Sequence, residues 1–81
     1  MADRKRLVLD ANILISACLG VRVRVLIADF VNEVDFYVAE ANAAEAAGTI
    51  GELATRRGLN PHICQEAFLS LMGVVQVVAP P

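Results

Sequence analysis

Asp10 closes a short apolar run, Leu7-Val8-Leu9, and is followed by Ala11-Asn12-Ile13-Leu14-Ile15-Ser16. A carboxylate at the carboxyl end of a buried strand, just before a helix, stands where open α/β sheets bind ligands. The placement is costly, because a carboxylate near a low-dielectric sheet requires protons, cations or donors around it. The competing reading of Asp10 is an N-cap for the following helix. Ser16 lies one helical turn after Asn12, so both can face one site. The other chemically capable residues are less promising. His62 follows Pro61 in a first helical turn with no partner nearby, which reads as a surface residue. Cys18 and Cys64 lack metal-ligand spacing and a His-Asp or His-Asn frame, so they read as small reduced core residues. There is no glycine-rich phosphate loop.

The elements that must position these groups follow from periodicity and breakers. Leu7 to Asp10 reads as a buried parallel-type strand. Asn12 to Leu19 reads as a helix closed by Gly20. Val21-Arg22-Val23-Arg24-Val25 alternates like a strand, but Val23, Ile27, Phe30, Val31 and Val34 fall at helical spacing. The longer pattern predicts a helix from Arg22 to Asn32. Asp35 to Val38 is a second strand. Glu40 to Arg57 is Ala- and Glu-rich and helical, with Gly48 and Gly51 predicting a kink or a close packing contact, and Gly58 ending it. Asn60-Pro61 is a strong helix start, Asn as N-cap and Pro at the first position. That helix runs to Met72, with Ile63, Ala67, Phe68 and Leu71 on one face, and Gly73 breaks it. Val74 to Val78 is a third strand, ended by Ala79-Pro80-Pro81.

Strands linked through helices imply right-handed crossovers and a parallel sheet. The fold class is therefore α/β, a three-layer α/β/α parallel sheet in the order β-α-α-β-α-α-β. A parallel sheet normally has helices on both faces and more than three strands. An edge left open directly after a strand predicts an incomplete sheet. Residues 1–81 are accordingly expected to be a single domain's N-terminal portion.

Composition supports this. The chain has 81 residues, 57% hydrophobic and only 5% aromatic, so the core is built from Val, Leu, Ile and Ala. That is more apolar surface than so short a chain can hide, and some of it is expected to meet something else. The net charge of −2 excludes a broad basic surface for duplex nucleic acid. Arg4-Lys5-Arg6 and Arg56-Arg57, with Arg22 and Arg24 between, read as solvated surface, and Arg56-Arg57 also suits a helix C-terminus. No apolar stretch approaches the roughly 20 residues of a membrane span. No secretory signal is visible, so a cytoplasmic location is expected.

The run Leu7-Val8-Leu9-Asp10-Ala11-Asn12-Ile13-Leu14-Ile15-Ser16-Ala17 resembles the opening of PIN-domain nucleases: an apolar strand, an Asp, a small residue, an Asn, three apolar residues and a Ser or Thr. The order of elements extends the resemblance to about residue 81. The resemblance implies a metal-dependent ribonuclease in which clustered carboxylates hold Mg²⁺ or Mn²⁺ and activate a water. Such hard cations take oxygen ligands. Asp10 then matches the family's first metal-binding Asp, Asn12 the Asn that orients the acids, and Ser16 the hydroxyl that organises the cluster. Glu45 matches the second acid, on the helix after the second strand, with Glu40 as rival. Glu52 and Glu66 read as solvated. The family's further Asp residues have no counterpart, since no acid follows Glu66, so this polypeptide alone is expected to be a weak catalyst.

Two other functions compete. A phosphatase of the haloacid dehalogenase kind also begins with a strand-end Asp, but requires a second Asp two residues later, where Asn12 stands. A non-catalytic PIN-like module would act through its apolar edge as a protein-binding or dimerising unit. The partners expected across these readings are single-stranded or structured RNA, an antitoxin protein if the chain is a toxin of the VapC type, and a second copy of itself, with no membrane.

Overall fold

The computed structural model describes residues 5–79, in the order β1 (Lys5–Leu9), α1 (Ala11–Leu19), α2 (Arg22–Phe30), β2 (Val34–Ala39), α3 (Glu40–Arg56), α4 (Pro61–Met72) and β3 (Val75–Val78). Arg4 of the first basic cluster and the Pro80-Pro81 terminator lie outside the described residues. The three strands form one parallel sheet in the order β1-β2-β3, with Leu7 paired to Phe36, Leu9 to Val38, and Val38 to Val77. The α/β class, the parallel sheet and the element order are those expected. The ambiguous Val21–Val34 stretch is helical from Arg22 to Phe30.

Strand alternation sorts the sheet into two faces. Leu9, Phe36, Val38 and Val75 share one face and are buried with Leu14, Ala17, Cys18, Ile27, Ala46, Ile50, Ala54, Cys64 and Leu71 from the helices. Contacts of α1 with α3, and of α4 with both, make a helical layer over that face. Val8 and Val78 point to the other face and remain exposed. Among the described residues one helical layer covers one face, which matches the thin 16 Å dimension of the molecule.

Local signals explain the helix ends. Asn60 Oδ1 accepts from His62 N at 2.9 Å and Ile63 N at 3.3 Å, with Pro61 at the first helical position. Gly58 adopts φ +72°, a left-handed turn that disfavours a side chain. At α3 the expected close contact exists at Gly51, where a Cβ would sit 3.0 Å from Gln65 Nε2, whereas a Cβ on Gly48 would meet nothing within 4 Å. The helix continues through both. Arg56 pairs with Glu52 at 2.7 Å, one turn apart and solvated, an arrangement that contributes little.

Two burial expectations are corrected. Leu7–Asp10 is not a buried strand: only Leu9 is buried, and Leu7 and Val8 are 50% and 72% exposed. Leu7 is on the helix-covered face but lies at an edge of the sheet among the described residues, and Val8 points to the face that no helix covers. On α4, Ile63 is exposed and Cys64 takes its place in the core beside Leu71, with Ala67 and Phe68 half-buried. The helix is rotated so that its smaller sulfur side chain, not the branched one, enters the core.

Candidate functional site

Asp10 ends the β1 direction and begins α1. Its backbone is extended, φ −92° and ψ 174°, and its Oδ1 accepts from Ile13 N at 2.8 Å. Both readings of this residue are therefore compatible in one geometry. One carboxylate oxygen caps the helix, and the other makes no hydrogen bond to the described residues. The group is exposed, so water and ions reach it.

Asn12 and Ser16 project together from α1. The buried stripe of that helix is Ala11, Leu14, Ala17 and Cys18, and at 100° per residue both polar groups fall on the opposite side. Each is exposed, so they form a polar face continuing from the Asp10 end.

The two candidate acids of α3 differ in placement. β1 and β2 are in register through Leu9 and Val38, so Asp10 lies one step beyond that pair, at the level where Ala39 leads into Glu40. Glu40 opens α3, where a carboxylate favours the positive helix end, and it lines a shallow groove with Val8, Tyr37 and Val78 on the open sheet face. Glu45 is exposed in the second turn and flanks the buried stripe Ala46, Ile50 and Ala54. Gly51 turns toward Gln65 of α4. Eleven residues earlier, Glu40 falls about 20° from that direction, whereas Glu45 is about 120° away. Because α3 packs on both α1 and α4, Glu45 occupies the flank away from α4.

The donor set is hard oxygen, which suits Mg²⁺ or Mn²⁺ in type. In number it is sparse: no group of three or more His, Cys, Asp or Glu residues is gathered among the described residues. Two carboxylates plus water could hold a divalent ion only weakly. Nucleophilic sulfur chemistry finds no support. Both cysteines are free and buried, and burial pushes the Cys18 thiol up to about 11, with Arg24 pulling it down and Cys64 adding to the rise. His62 and Glu66 are exposed, as expected.

One feature was visible in the sequence only as an excess of apolar residues. A groove of about 390 Å³ runs between β1 and α2, walled by Leu7, Ile13, Val23, Leu26, Phe30 and Phe36. No helix of the described residues is long and apolar enough to cross a membrane.

The family model of the PIN domain matches residues 8–81 of the chain. No curated protein and no solved structure matches it.

Proposed function

Since the chain belongs to the PIN-domain family, a nuclease-type fold, we propose that it serves metal-dependent hydrolysis of RNA phosphodiesters. The observation that carries this reading is Asp10, an accessible carboxylate at the carboxyl end of a parallel strand with one oxygen engaged and one unengaged. Asp10 and Glu45 are the residues that would hold Mg²⁺ or Mn²⁺, with Glu40 as the rival for the second position. When bound, the cation supplies an activated water and stabilisation for the leaving oxygen. In this reading Asn12 would orient the acids, and Ser16, on the same helical face, would organise them through its hydroxyl. The α1 cap fixes the Asp10 side chain, which limits the rotamers that ligation must freeze out.

The expected substrate is RNA in single-stranded or accessible structured form. The chain's modest charge offers few phosphate contacts, so binding rests on the metal and not on a basic surface. An antitoxin protein is a natural partner if the chain acts as a toxin.

Mn²⁺ titration followed by electron paramagnetic resonance tests the assignment, alongside RNA cleavage in Mn²⁺. A weak site present in the wild-type chain should disappear in Asp10→Asn. It should weaken in Glu45→Gln more than in Glu40→Gln. Equal Mn²⁺ binding by wild type and Asp10→Asn, or cleavage that survives that substitution, sinks the reading.

A further inference from the structure

We propose that Cys18 and Cys64 are an oxidation site that closes to an intramolecular disulfide, joining α1 to α4. They are the chain's only two cysteines, far apart in sequence, and the fold brings them to one place. Cys18 lies in the last turn of α1 and Cys64 one turn into α4, and these two helices pack on each other. Both thiols are free and buried in the same core cluster. Both also line one groove of about 220 Å³, together with Leu19, Arg24 and Asn60, which gives a small oxidant access to them. They are close enough for charge on Cys64 to act on Cys18. Both belong to the helical layer and not to the sheet.

The oxidant is a two-electron acceptor of the peroxide class. One thiolate sulfur attacks a peroxide oxygen: the S–O bond forms, the O–O bond breaks, and hydroxide leaves. The second sulfur then displaces hydroxide from the sulfenic acid, and the S–S bond forms. The two hydroxides take up the two thiol protons, so two thiols and one hydrogen peroxide give one disulfide and two waters. The sulfurs lose two electrons and the peroxide gains them. Burial pushes the Cys18 thiol up to about 11, with Arg24 pulling it down and Cys64 adding to the rise. That value unsuits Cys18 to catalysis at neutral pH and makes the oxidation slow. The same burial favours the product, because a disulfide carries no charge into the apolar core. It also favours the intramolecular partner. With Cys18 and Cys64 only 3% and 4% exposed, a thiol of another chain does not reach them.

Hydrogen peroxide treatment of the full chain, followed by intact mass and a thiol count after unfolding, tests the proposal. Both thiols should disappear together, with the mass falling by two hydrogens and a Cys18–Cys64 linked peptide in the unreduced digest. Dithiothreitol should restore both. The cross-linked chain should melt at least about 5 °C above the reduced one, since the bond closes a long loop in the unfolded state. Peroxide-treated Cys64→Ala and Cys18→Ala should show no such rise and no loss of two hydrogens. The wild-type mass and thiol count decide the matter even if either variant folds poorly. Wild-type chain that gains oxygen atoms, or links to a second chain through sulfur, overturns the proposal. So does a folded chain that keeps both thiols under peroxide that oxidises the same chain in guanidinium chloride.

Discussion

Replacing Asp10 by Asn and by Ala separates its two roles. The carboxylate caps α1 through the 2.8 Å bond from Ile13 N. Asn caps about as well as Asp, so Asp10→Asn loses only the charge at the helix N-terminus, about 0.3 kcal/mol at an exposed site. Asp10→Ala loses the cap as well, about 1 kcal/mol. For a domain of this size 1 kcal/mol moves the melting temperature by about 4–8 °C. Asp10→Ala should therefore melt several degrees below wild type, and Asp10→Asn within about 2 °C of it. Metal binding should show the opposite grouping. Mn²⁺ at ten times its dissociation constant stabilises a native site by about 1.4 kcal/mol, so it should raise the melting point of wild type and of neither variant. Differential scanning fluorimetry with and without Mn²⁺ reads all of this. If Asp10→Asn melts as low as Asp10→Ala, the cap is not what the side chain provides. If Mn²⁺ stabilises Asp10→Asn as much as wild type, the carboxylate is not a ligand.

Other substitutions test the frame around it. Asn60→Ala removes the acceptor for His62 N and Ile63 N and should cost about 1 kcal/mol in denaturant unfolding. Gly48→Ala, with nothing near its would-be Cβ, should stabilise by about 0.5–1 kcal/mol. Gly51→Ala should gain less, because Gln65 must move aside. The Cys18 thiol is raised from 9.0 to about 11 in the fold, so the native state holds its proton more tightly than the unfolded chain. Its contribution is complete below pH 9 and is lost as pH rises through about 11. Unfolding curves of wild type should weaken across that window, and Cys18→Ala should flatten the slope.

Local chemistry made much of the fold legible. Asn60-Pro61 announced α4 to the residue, and Gly20 and Gly73 marked where α1 and α4 stop. The helical spacing of Val23, Ile27 and Phe30 outweighed the short alternation of Val21 to Val25. Burial was less legible, because it depends on neighbours and not on the segment itself. Leu7-Val8-Leu9 reads as a strand apolar on both faces, and that pattern implies cover on both faces and both edges. Among the described residues, cover comes from one face and one edge. The reading of the residues and the exposure of Val8 thus express one fact: β1 is built to be interior. At the site, the strand-end position of Asp10 followed from pattern alone. The choice between Glu40 and Glu45 did not, since it turns on how α3 is rotated against α4.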